Sequence, residues 1–169
     1  VAADESWDWS NDGPIRFADN KDGEIVDARA LPSYGGKARI TTHPVPPTAS
    51  DNVPVTEHER LKPVLITTPS GGRVLDFGQN IAGYVSFCLK AHAGQQVKLR
   101  FGELLDRGGE FTQKNIQLSR KGFVTPRQEV LYTCRDGENR YKTTFAVFGF
   151  QYVLVETDVP FSPDDFTAV

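Results

Sequence analysis

The stretch Val74-Leu-Asp-Phe-Gly-Gln-Asn80, continued by Ile81-Ala-Gly-Tyr-Val85, decides the fold. From Tyr84 onward the residues alternate, with Val85, Phe87 and Leu89 on one face and Tyr84, Ser86, Cys88 and Lys90 on the other. A period of two marks a half-buried strand of an antiparallel sheet. Ahead of it, Arg73–Phe77 reads as a strand that ends in a turn. Asp76, Gln79 and Asn80 can bond the backbone of that connection, and Gly78 and Gly83 accept dihedrals that a side chain would forbid. Asp76, Phe77, Gly78, Gln79, Asn80 and Gly83 are therefore read as structural: a strand, a turn and a strand.

Working outward, further strands are expected at Val64–Thr67, Gln96–Gly102, Glu129–Arg135, Tyr141–Phe148 and Gln151–Glu156. Turn signals separate them at Pro69-Ser-Gly-Gly72, Ala93-Gly94, Asp106-Arg-Gly-Gly109 and Asp136-Gly137. No helical stripe of useful length interrupts the series. Short alternating strands with frequent turns predict an all-β fold, an antiparallel β-sandwich of jelly-roll type. Residues 1–42 are polar, with scattered anchors at Trp7, Trp9, Ile15, Phe17 and Ile25, and predict an extended N-terminal segment. The Pro-rich run His43-Pro-Val-Pro-Pro-Thr48 favours stiff, extended backbone and places a boundary between residues 1–48 and 49–169. The polar, basic stretch from Leu105 to Gln128 is long for a connection, and connections of that length are functional, disordered or packed across a neighbour.

The composition excludes several classes. The 169 residues carry a net charge of −3 and are 38% hydrophobic, ordinary for a globular chain. Mild acidity gives no reason to expect nucleic acid or an anionic membrane as partner. No apolar run reaches the length of a membrane span, and Val1-Ala-Ala-Asp-Glu is no signal peptide. The chain has no Met, so a piece of a longer protein is the simplest account, and its compartment, cytoplasmic or secreted, stays open. Cys88 shares the outward face with Ser86 and Lys90, a disulfide needs close Cα atoms and converging side chains, and two free thiols are expected.

Six motifs in order resemble one family. The opening run is similar to the hallmark of the accessory β-sandwich of bacterial α-L-rhamnosidases. Trp7 through Ile15, Asp22-Gly-Glu24 and Asp27-Ala-Arg29 resemble the end of that family's N-terminal module. His58-Glu-Arg-Leu-Lys-Pro63, Leu99-Arg-Phe-Gly-Glu-Leu-Leu-Asp106, Tyr132-Thr-Cys-Arg-Asp-Gly137 and Phe148-Gly-Phe-Gln-Tyr-Val153 follow in the family's sequence. One departure is Gln151, where the family usually has Arg. The resemblance implies a concanavalin-like domain whose catalytic acids lie elsewhere, in an (α/α)6 barrel following this region. It also implies a parent enzyme that hydrolyses terminal α-L-rhamnosyl residues with inversion, through a general acid and a water-activating base.

Two kinds of chemistry remain as expectations. For glycoside hydrolysis within the chain, the candidate carboxylates are Asp22, Glu24, Asp76, Glu103 and Asp106; carboxylates at turns and strand ends are usually caps, and no catalytic residue is assigned. For carbohydrate binding, Trp7 and Trp9 share a face if extended and could stack on a pyranose, with Asp19 and Asn20 holding hydroxyls. The resemblance adds L-rhamnose-containing glycans as the ligand, with calcium involved in some relatives. Asp19, Asn20, Asp22 and Glu24 are hard oxygen donors of the kind calcium takes, but they match no recognised loop; no metal or cofactor is assigned. The expected partner is the catalytic domain of the same parent chain.

Overall fold

The computed structural model describes residues 4–41, 48–51, 53–120 and 122–169. In chain order the strands are β1 (Asp8–Trp9), β2 (Ile15–Asp19), β3 (Gly23–Asp27), β4 (Gly36–Lys37), β5 (Val64–Thr67), β6 (Arg73–Gly83), β7 (Val85–Ala91) and β8 (Gln96–Gly102). There follow β9 (Leu104–Leu105), β10 (Phe111–Thr112), β11 (Leu118–Arg120), β12 (Phe123–Thr125), β13 (Glu129–Thr133), β14 (Gly137–Tyr141), β15 (Phe148–Thr157) and β16 (Phe166–Ala168). A single 3-10 turn, Pro163–Asp165, is the only helical element among the described residues.

Two sheets carry the fold. One has seven strands in the order β2-β3-β13-β8-β15-β6-β5, the other three in the order β14-β7-β16. Period-two alternation supplies their shared core. Val85, Phe87 and Leu89 of β7 and Phe166 and Ala168 of β16 pack with Val97, Leu99 and Phe101 of β8, Val130 and Tyr132 of β13, and Phe148, Phe150, Val153 and Val155 of β15. Phe87 meets Tyr132 edge to face at 5.3 Å across the layers. This is a β-sandwich, as the alternation predicts. Cys134 lies buried in the core and Cys88 is half-buried on the outward face, both as free thiols.

The structure adds four details. The seven-stranded sheet is mixed: β13 pairs parallel with β3, in register Val130 opposite Glu24. Strands so far apart in sequence have no hairpin to impose an antiparallel sense. That pairing also carries the sheet across the expected boundary near residue 48, since Ile15–Asp27 form its edge. Most of the Pro-rich connector falls outside the described residues. Third, the opening motif is no turn. β6 runs unbroken from Arg73 to Gly83, and its register against β15 jumps from Asp76 opposite Tyr152 to Ile81 opposite Phe150. Phe77 to Asn80 thus bulge out opposite Gln151 alone. The left-handed Gly78 (φ +79°) kinks the strand without reversing it. Fourth, the strand expected at Tyr141–Phe148 is two strand ends joined by a loop, residues 142–147.

The stretch Leu105–Gln128 is built of hairpins, β9 with β10 and β11 with β12. It is pinned by the buried Gln113, whose Nε2 donates to the carbonyls of Phe101 and Arg127, both at 2.8 Å.

Candidate functional site

The end of β6 and the 142–147 loop face each other across a groove of about 690 Å³. Its walls are Ile81 to Tyr84, Lys142 to Val147, and Val55 to Glu59. Gly83 is required by close approach: a Cβ there would lie 2.1 Å from the carbonyl oxygen of Val169. That carbonyl accepts from Tyr84 N at 3.0 Å, and Val169 N donates back to Tyr84 O at 2.9 Å. The motif glycine thus lets two segments of the chain touch in the groove's lining.

The loop on the far wall is shaped by a buried carboxylate. Glu24, 1% exposed, accepts from the backbone N–H groups of Thr144, Phe145 and Ala146 at 2.8, 2.6 and 2.9 Å, and from the Tyr141 hydroxyl. Burial, reinforced by that bond, raises the Tyr141 hydroxyl's pKa. Within the loop, Thr143 Oγ1 donates to Ala146 O at 2.7 Å. Ala146 is therefore held inward while Phe145 and Val147 point out, 61% and 47% exposed.

The rim is a charge cluster. Glu57 accepts from the Tyr84 hydroxyl, from Lys142 Nζ at 3.1 Å and from Arg60 at 2.7 Å. The Tyr84 hydrogen bond first, then Lys142, hold Glu57 down at about 2. It is an anion throughout the neutral range, whereas a general acid needs its pKa raised. The sequence pattern pointed at neither this cluster nor Phe145. Glu24 did carry a signal: it alternates with the buried Val26 on the same face of β3.

Each carboxylate considered for hydrolysis has a protein donor. Asp22 accepts from Thr125 Oγ1 and Arg127 N, both at 3.0 Å. Asp76 accepts from Gly78 N at 2.8 Å and from Gln151 Nε2 at 3.0 Å. Glu103 accepts from Asn115 at 2.9 Å, and Asp106 from the N–H groups of Gly108 and Glu110 at 2.8 and 2.9 Å. They act as caps and ties. Phe77 is buried against Phe150, while Gly78, Gln79 and Asn80 are exposed on the bulge. Gln79 reaches Glu59 at 3.4 Å.

The residues expected for sugar binding are placed on two separate sheets. Trp9 pairs with Gly36 in the small β1–β4 sheet, and its ring covers Gly35; Trp7 and Trp9 are each 48% exposed. Asp19 belongs to the large sheet, where its Oδ1 accepts from the N–H groups of Lys21 and Asp22, both at 2.8 Å, closing the β2–β3 turn beside the exposed Asn20. Asp19, Asp22 and Glu24 thus each turn to their own donors. Among the described residues no group of three or more His, Cys, Asp or Glu side chains is disposed to hold a metal ion. No helix among them is long and apolar enough to cross a membrane.

Comparison with known proteins gives this geometry its context. The family model of the bacterial α-L-rhamnosidase concanavalin-like domain matches residues 66–169. An α-L-rhamnosidase of Alteromonas sp. (strain LOR) is 32% identical over 177 residues, an overlap of 95% of this chain and 18% of that protein. The Streptomyces avermitilis α-L-rhamnosidase, solved in complex with L-rhamnose, superposes with a TM-score of 0.75 at 30% identity, over 92% of this chain and 16% of its own. The native enzyme of Aspergillus terreus superposes with a TM-score of 0.76 over 100% of this chain and 20% of its own; at 24% identity it shows the fold alone. The chain spans less than a fifth of the length of the curated relatives it matches, 18% and 16% in the two bacterial enzymes. By the family model and its β-sandwich, the chain belongs to the bacterial α-L-rhamnosidase family, as a concanavalin-like domain.

Proposed function

We propose that this domain is a non-catalytic accessory sandwich of an α-L-rhamnosidase, serving to seat and orient the catalytic part of the same polypeptide. The observation that carries the reading is the match over residues 66–169 in a chain that covers under a fifth of its relatives. The capping roles of Asp22, Glu24, Asp76, Glu103 and Asp106 support it. So does the depressed pKa of Glu57, which keeps that groove carboxyl an anion and not the proton donor glycoside hydrolysis uses. The parent would cleave terminal α-L-rhamnosyl groups, with its acid and base supplied elsewhere. The test is an assay of the isolated chain on a chromogenic aryl α-L-rhamnoside. No release above buffer is expected; turnover abolished by Glu103→Gln would overturn the reading.

The second reading is an L-rhamnose-binding module, in which the half-exposed Trp7 and Trp9 would stack on the sugar. A titration of the labelled chain with L-rhamnose, with and without calcium, separates the two. Saturable shifts at Trp7, Trp9, Asp19 and Asn20, abolished by Trp9→Ala in a folded protein, would establish binding. No shifts at tens of millimolar, about tenfold above a millimolar dissociation constant, would leave the accessory role.

A further inference from the structure

We propose that the groove between the end of β6 and the 142–147 loop is a preformed docking seat for the catalytic part of the parent chain. Phe145 and Val147 are its anchors, and Glu24 is the positioning residue that holds them. The proposal rests on the accessory-domain reading and goes beyond it by naming the surface.

Phe145 is an exposed aromatic side chain on a loop. Here three successive N–H groups of the loop end on one buried carboxylate, and Thr143 closes the loop on Ala146. Desolvating a carboxylate costs several kcal/mol before its hydrogen bonds offset it. The fold bears that cost at Glu24, and the outward result is a 61% exposed aromatic ring carried on a tied-down backbone. Fixing a contact in its bound conformation lowers the ordering entropy of association. The loop is built to meet something.

The chemistry of the groove says what. Phe145, Val147, Ile81 and the 92% exposed Val55 form an apolar centre. Glu57 and Glu59 against Lys142 and Arg60, with Tyr84 between them, form a rim of two negative and two positive charges. An apolar centre within a polar rim is the anatomy of a protein interface. A rim without surplus charge does not select a phosphate or a polyanion. The occupant is then an apolar ridge on a neighbouring protein surface. The matched relatives place more than four-fifths of their length outside this region, so such a surface would be tethered to it. A tethered partner works at an effective concentration of about millimolar and needs no great intrinsic affinity.

The test is hydroxyl-radical footprinting of the intact parent enzyme and of the 169-residue chain. Phe145 and Tyr84 are expected to be modified about fivefold or more slowly in the intact enzyme, because the centre of a docked patch is desolvated. Phe123, exposed on the β11–β12 hairpin and outside the groove's lining, is the comparison. Protection at Phe123 with none at Phe145 would overturn the assignment of the surface and leave the accessory reading standing. Equal rates at every side chain would sink both. Protection of Phe145 in the isolated chain that grows with its concentration would assign the groove to a second copy and overturn the proposal. In the intact enzyme, Glu24→Gln is expected to reduce Phe145 protection at least about twofold while its aryl rhamnoside KM is unchanged, as loosened seating of a side chain predicts. Phe145→Asp, at an exposed position, tests the anchor without unfolding the sandwich: it should expose Tyr84 to the radical, and full protection of Tyr84 in that variant would refute the anchor.

Discussion

Gln151 donates from Nε2 to Asp76 Oδ1 at 3.0 Å across the bulge of β6, and the same oxygen accepts from Gly78 N at 2.8 Å. The one residue of β15 that faces the four-residue bulge is therefore the residue that ties it down. An Arg here, the usual residue of the family, would make the contact an ion pair. Gln151→Ala is expected to cost about 1 kcal/mol, the worth of a half-exposed hydrogen bond. Gln151→Arg should keep or slightly raise stability, by up to about 1 kcal/mol, and that gain should shrink at high salt. Urea unfolding at low and high salt checks both; a Gln151→Ala variant as stable as the parent would show that the tie contributes nothing.

Two glycines of the same strand are there for different reasons, and their alanine variants should rank accordingly. At Gly83 a Cβ would sit 2.1 Å from Val169 O and 3.0 Å from its carbonyl carbon, so the Tyr84–Val169 pairing must open. At Gly78 nothing lies within 4 Å, and only the φ of +79° resists a side chain. Gly78→Ala should cost about 1–2 kcal/mol of backbone strain. Gly83→Ala should cost more, about 3 kcal/mol, with faster amide exchange at Tyr84 and Val169. The reverse ranking would contradict the close approach.

How much of this was legible in the sequence depends on how local the cause is. Alternation along Val85–Leu89 and Gln96–Gly102 fixed both strands and their buried faces, because a period of two is a property of the strand itself. The bulge was read as a turn because the signals of Asp76 and Gly78 are the same in both; what distinguishes them is the resumed pairing of Ile81 with Phe150, which lies seventy residues on in the chain. The parallel pairing of β3 with β13 has no local signature at all. Glu24 reads in the sequence as one candidate carboxylate among five, since a carboxylate inside a sandwich is explained only by donors that come from residues 141–146. Trp7 and Trp9, read both as anchors and as sugar-stacking candidates, lie half-exposed, and whether they bind sugar is a question for titration.

The rim cluster predicts a specific acid response. Glu57 has a folded pKa of about 2, well below the ordinary 4.5 of the unfolded chain. A depressed carboxyl pKa contributes stability that is complete above 4.5 and lost as the pH falls toward 2. The groups facing it are Tyr84, Lys142 and Arg60. The Glu57 side-chain carboxyl signal should therefore titrate near 2, and Tyr84→Phe, which removes the largest cause, should move its midpoint up toward 4.5. A wild-type midpoint at 4.5 would mean that the cluster does not persist in solution.

Glu24 should matter to stability far more than the side chains it positions. Its four donors are the N–H groups of residues 144–146 and the Tyr141 hydroxyl, and all lose their acceptor in Glu24→Ala. Leaving buried partners of a charge unpaired typically costs about 3–5 kcal/mol. Tyr141→Phe removes one donor while three remain, and a hydrogen bond to a charged group is worth about 1.5–3 kcal/mol. Phe145→Asp removes no buried contact and, being exposed, should fall within about 0.5 kcal/mol of the parent. The expected order of melting temperatures is Phe145→Asp above Tyr141→Phe above Glu24→Ala. Amide exchange at 144–146 should rise in Glu24→Ala, and also in Glu24→Gln, which keeps the shape and places an amide among donors. If exchange there stayed slow in both, the loop would owe its order to Thr143 and Ala146 alone, and β3 would be a passive edge of the sheet.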